Sequence, residues 1–154
     1  MLKEGEQAPR FTGRLSTGEQ VSLDDLIVTH AVVLFFYPRD FTVTCTKQVC
    51  AFRDNFSRVR DLDAVIFGVS SDGSLSHNRF IQRYSLPFPL INDTDRSIGR
   101  AYGVVRFGGL IPLSMRVTYV IDRQGIIRGV FHHELTVERH VVDVLKTLKG
   151  LRNR

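Results

Sequence analysis

Two thiols stand five positions apart in the stretch YPRDFTVTCTKQVC, Tyr37 to Cys50, and they are the only cysteines of the chain. A pair this close can supply part of a metal site, exchange disulfides, combine an attacking sulfur with a partner that resolves its product, or fill space as two small apolar groups. Structural zinc asks for more ligands than one cysteine pair. The adjacent histidines His132 and His133 would point to opposite faces of a strand, so they do not complete such a site. Thioredoxin-type exchange uses Cys-x-x-Cys, in which both sulfurs meet across one helical turn, whereas here four residues intervene. Residue chemistry alone leaves the packing, exchange and nucleophile readings open.

The elements that must position these thiols can be read from periodicity. Ala31 to Phe36, AVVLFF, is an unbroken apolar run, as a strand buried on both faces requires. After Tyr37-Pro38, apolar groups recur at Cys45, Val49, Phe52, Phe56 and Val59, a helical stripe. Ala64 to Val69 predicts a second buried strand. His77, Phe80, Ile81 and Tyr84 predict a second helix, with His77 a packing histidine whose ring is hydrogen-bonded. Val117 to Asp122, the turn Arg123-Gln124-Gly125 and Ile126 to Phe131 predict a strand pair. Val137, Val141, Val144, Leu145 and Leu148 mark a closing helix, and Phe11 to Val21 an amino-terminal hairpin. The predicted class is α/β: a thioredoxin-like mixed central sheet flanked by helices, with an added N-terminal hairpin.

Composition narrows the setting. The chain has 154 residues, 43% of them hydrophobic and 24% charged, and is read as one domain over 1–154. Its net charge of +5 is spread without a basic block, so no nucleic-acid partner is expected. No stretch approaches the roughly 18 apolar residues of a membrane span, so no membrane partner is expected. Met1 to Glu6 is charged where a secretory signal is apolar. The expected location is cytoplasmic, where close cysteine pairs serve metals or catalysis more often than architecture.

Cys45 falls in the first turn of its predicted helix. Free backbone N–H groups and the positive end of the helix dipole favour a thiolate there. Thr42 and Thr44 are both candidate caps. Cys50 falls at the border of the polar face, beside Arg53, Asp54 and Ser57.

Pro38-Arg39-Asp40-Phe41-Thr42-Val43-Thr44-Cys45 resembles the P-x-x-x-T-x-x-C signature of the peroxiredoxins, the thiol peroxidases. Cys50, five residues on, and Arg116 at the head of Arg116-Val117-Thr118-Tyr119-Val120-Ile121-Asp122 resemble the Q-type, or bacterioferritin comigratory, group. GEQAPRF (Gly5 to Phe11), GVSSD (Gly68 to Asp72), LPFPLINDTD (Leu86 to Asp95) and AYGV (Ala101 to Val104) extend the likeness over nearly the whole chain.

The resemblance implies a peroxidatic nucleophile at Cys45 and a peroxide-positioning hydroxyl at Thr42. It further implies a fixed cation at Arg116, a shielding ring at Pro38 and a resolving thiol at Cys50. It implies hydroperoxide substrates, hydrogen peroxide and organic, and recycling of an intramolecular disulfide by thioredoxin or a similar dithiol. No cofactor or metal is expected, and the protein is read as a monomer or weak homodimer. A thioredoxin-like thiol–disulfide oxidoreductase is the alternative. The sequence departs from the group at Val43-Thr44, where Pro-Gly is frequent, and at Gln48, where Glu is frequent. The apolar stretch Val104 to Met115 is open to four readings: a wall of the site, a feature favouring organic hydroperoxides, a dimer cover, or core filling beneath the sheet.

Overall fold

The computed structural model describes residues 1–134 and 136–152. Its centre is β3 (Ala31–Phe36), buried at every position. Alternation along the strand sends Ala31, Val33 and Phe35 into one core, and Val32, Leu34 and Phe36 into the other. Both faces are covered, which is why the run shows no polar alternation.

Seven strands form one sheet. They are β1 (Thr12–Leu15), β2 (Gln20–Ser22), β3, β4 (Ala64–Ser70), β5 (Leu90–Asn92), β8 (Val117–Ile121) and β9 (Ile127–His132), in the order β2-β1-β5-β4-β3-β8-β9. β3, β4 and β5 are parallel neighbours, while β8 runs antiparallel to β3 and β9 antiparallel to β8. The N-terminal hairpin is therefore part of the main sheet, through antiparallel pairing of β1 with β5.

One core joins β3 to α2 (Val43–Asp54), α3 (Phe56–Arg60), α4 (Ser74–Tyr84) and α6 (Glu138–Arg152). Phe35 stacks on Phe52 of α2 with ring centroids 4.6 Å apart. Truncating either ring should cost about 3–5 kcal/mol by leaving a cavity. The other core gathers Leu23 of α1 (Leu23–Leu26), Ile98 of α5 (Ser97–Ala101), Tyr102 and Tyr119.

Two expectations are corrected. The apolar stripe from Cys45 to Val59 is one pattern but two helices, because the chain breaks at Asn55, whose side-chain amide donates to the Ala51 carbonyl. The stretch Val104 to Met115 is not core filling. Most of it forms a hairpin, β6 (Val105–Gly108) and β7 (Ile111–Ser114), a two-stranded sheet separate from the seven-stranded one. It leaves Phe107, Ile111 and Leu113 exposed and Leu110 97% accessible, while Val104 is buried.

Candidate active site

β3 ends at Phe36, and the chain turns through Tyr37–Phe41 into α2. Phe41 sits in the left-handed region at φ 66°, a conformation that costs of order 1–3 kcal/mol outside glycine. Its ring packs at 4.9 Å from that of Phe80. Asp40 anchors the same turn from inside. Its carboxylate accepts the Tyr37 hydroxyl at 2.6 Å, the Ser76 hydroxyl at 2.8 Å and His77 Nδ1 at 2.8 Å. Its backbone N–H donates to Asp72 at 2.8 Å. Burial first, and then the Asp40 charge, raise the Tyr37 phenol well above its ordinary value, so it stays a donor.

His77 is buried as expected, with Nε2 also bonded to the Ile91 carbonyl at 3.2 Å. Asp40, Asp72 and His77 place ligand-type atoms within 4.8 Å of one another. They are bound to each other through hydroxyls, the imidazole and a backbone amide, so the cluster reads as an anchor of the loop.

This anchor delivers the start of α2. Thr42 is its N-cap residue, but its hydroxyl donates back to the Arg39 carbonyl at 3.1 Å and makes no cap bond. The expected side-chain cap is therefore absent at Thr42, whose hydroxyl is turned to the loop carbonyl instead. Cys45 lies in the first turn, fully buried. Pro38 is half-buried in the loop and Thr42 is exposed.

Arg116 arrives from across the sheet. Pairing of Phe36 with Val117 places the residue before β8 at the end of β3. Arg116 is 6% exposed. Its Nη1 donates to Cys45 Sγ at 3.1 Å and to Gln48 Oε1 at 2.8 Å. Sulfur and amide oxygen thus fix one nitrogen of the fork, leaving other donors for charge that develops nearby. Gln48, fully buried one turn beyond Cys45, stands out in the sequence only as a departure from a family pattern. Its neutral oxygen fills the acceptor role without a second negative charge.

Glu134 is a further member that the sequence does not mark. Register explains it: Val117 pairs with His132, so the residue two beyond β9 lies beside Arg116. His132 turns to Glu134 and His133 to Asp143 of α6, so the two rings diverge as expected.

Cys50 is half-buried on the same helix, and both cysteines are free thiols. Burial, seconded by the Asp54 charge and opposed by Arg53, raises its thiol above the ordinary value. The structure therefore brings together Cys45, Arg116 and Gln48, and holds Cys50 apart from them on the next turns of α2.

The sequence profile of the AhpC/TSA family matches residues 5–130. Peroxiredoxin Q, chloroplastic, of Suaeda salsa is 39% identical over 152 residues, 97% of this chain and 69% of that protein. The crystal structure of peroxidoxin BcpB from Mycobacterium tuberculosis superposes with a TM-score of 0.92 at 29% identity, covering 98% of this chain and 99% of that one. A structure of Xanthomonas campestris bacterioferritin comigratory protein, described for its alkyl peroxide reduction activity, gives 0.84 at 28% identity over 92% of each chain.

Proposed function

This chain belongs to the AhpC/TSA family as a thiol peroxidase of the peroxiredoxin Q group, and we propose that Cys45 is its peroxidatic nucleophile. The carrying observation is the Arg116 Nη1 donor 3.1 Å from a sulfur in the first turn of α2. The Cys45 thiolate attacks one peroxide oxygen. A sulfur–oxygen bond forms, the oxygen–oxygen bond breaks, and the departing alkoxide or hydroxide takes a proton to leave as alcohol or water. Arg116 supports the sulfur's charge before attack and the leaving oxygen's charge during it. Thr42 orients the peroxide by its hydroxyl, and Pro38 screens the site from water.

The product is a Cys45 sulfenic acid, which Cys50 resolves. On an intact helix, Cα atoms five residues apart lie roughly 8.6 Å from one another, beyond the roughly 7 Å reach of a disulfide. Residues 44–51 must therefore unwind. Two anchors bound the segment. Asp40 holds the loop before it, and Phe52 on Phe35, with Arg53 Nη1 on the Tyr84 carbonyl at 2.8 Å, holds the helix after it. Exposing Val49, fully buried in the closed helix, costs about 1.5–3 kcal/mol and keeps the open form a minority until oxidation. The Cys50 sulfur then displaces hydroxide from the sulfenic sulfur, and a dithiol of the thioredoxin type reduces the disulfide.

We place residues 1–154 in one such domain, acting on hydrogen peroxide and organic hydroperoxides in the cytoplasm, as a monomer or weak homodimer. Among the described residues no helix is long and apolar enough to cross a membrane. Peroxide consumption by Cys45→Ser and Cys50→Ser tests the assignment. Cys45→Ser should consume none, and Cys50→Ser one equivalent before stalling as sulfenic acid and overoxidising. Near wild-type consumption by Cys45→Ser would move the nucleophile elsewhere.

A further inference from the structure

Arg116 is a nearly fully buried cation, and a buried charge is stable only when paired. Two anionic groups meet it: the Cys45 sulfur in its thiolate form and the Glu134 carboxylate. They meet different parts. Nη1 reaches Cys45 and Gln48. Glu134 Oε1 accepts the Arg116 backbone N–H at 3.2 Å, and Oε2 faces Nε at 3.8 Å. That Nε is buried and makes no hydrogen bond among the described residues. Glu134 is itself held by His132 Nε2, which donates to Oε1 at 2.8 Å.

Burial works against the Glu134 charge, but the bonds from His132 and the Arg116 amide, with the Arg116 charge beside it, outweigh it. Its carboxyl is held below the ordinary value. The two anions also differ in time. Oxidation converts the thiolate into a neutral sulfenic acid, whereas the Glu134 carboxylate takes no part in that step.

We propose that Glu134 is a positioning residue for peroxide reduction, holding Arg116 by its amide and by its Nε side so that Nη1 stays aimed at the Cys45 sulfur. Gln48 alone offers Arg116 a neutral oxygen, which fixes direction without compensating charge. The inference rests on Cys45 as nucleophile and Arg116 as its cation.

Rapid-mixing oxidation by hydrogen peroxide, compared for wild type, Glu134→Gln, Glu134→Met, Arg116→Met and Cys45→Ser, tests it. Gln and Met match Glu in length, but only Gln keeps an acceptor for the Arg116 amide. The side chain of Glu134 is 39% accessible, so both variants should fold, which thermal melts verify. Glu134→Met should slow oxidation about tenfold, short of the roughly 100-fold or more expected from deleting Arg116 itself. Glu134→Gln, which keeps the amide acceptor but loses the charge, should fall between Glu134→Met and wild type. A packing role would leave the two variants alike, so equal rates, or Glu134→Met within about twofold of wild type, overturns the proposal. Slow Arg116→Met with unaffected Glu134→Met refutes the role of Glu134 alone, whereas peroxide consumption by Cys45→Ser refutes the reading beneath it.

Discussion

Arg116 Nη1 lies 3.1 Å from Cys45 Sγ, although 71 positions separate the two residues in the chain. The contact depends on the antiparallel pairing of β8 with β3, which brings the head of one strand to the exit of the other. Because the guanidinium is buried, its field at the sulfur is poorly screened by salt. Arg116→Met, which keeps the bulk and removes the charge, should slow oxidation by roughly 100-fold or more. Stopped-flow kinetics measure this, and a loss below about tenfold would assign the arginine to architecture.

Thr42 separates hydroxyl from shape. Its Oγ1 donates to the Arg39 carbonyl while the residue stays exposed, so the oxygen keeps lone pairs for a peroxide O–H. Thr42→Ser should be mild and Thr42→Val severe in the rate of Cys45 oxidation. Equal damage from both would mean that packing of the methyl group is what matters.

His140 of α6 gives a pH test of the scaffold beneath the site. It is buried, accepts from the Thr118 hydroxyl at 2.7 Å and donates to the His133 carbonyl at 2.9 Å. Thr118 lies two residues beyond Arg116. Burial first, despite the His133 carbonyl bond, brings His140 down from 6.5 to about 4. The folded state then binds fewer protons than the unfolded one, so stability falls as pH drops from 6.5 toward 4 and is unaffected by this group above that window. The loss should reach about 3 kcal/mol. Urea unfolding at several pH values should show a flatter decline in His140→Gln, and equal slopes would remove His140 as the cause.

Much of the frame was legible because it is local. The unbroken run of β3, the stripe of α2 and the turn at Gly125, where φ is 79°, are written in neighbouring residues. β5 was not read, since three residues following Pro87 and Pro89 carry too short a pattern. The break at Asn55 was hidden because Phe56 and Val59 continue the apolar stripe across it.

Within the site, Cys45, Cys50, Thr42 and Pro38 lie in one stretch, and Arg116 was reachable only through family resemblance. Gln48 and Asp40 sat inside that stretch without a visible role, because their partners, Arg116 and His77, come from other elements. Glu134 offered no signal, for its place follows from the register of β8 with β9. Exposure of the β6–β7 hairpin ran against its apolar composition, which cannot say whether a layer lies beneath it.

Opening of α2 is the step on which the proposed cycle depends, since a closed helix holds Cys50 out of reach of Cys45. Hydrogen exchange across residues 44–51, measured in the reduced and disulfide forms, tests it most directly. Protection should be retained in the reduced protein and lost over this segment in the disulfide form, while Phe52 and the residues after it stay protected. Equal protection in the two forms would contradict the mechanism.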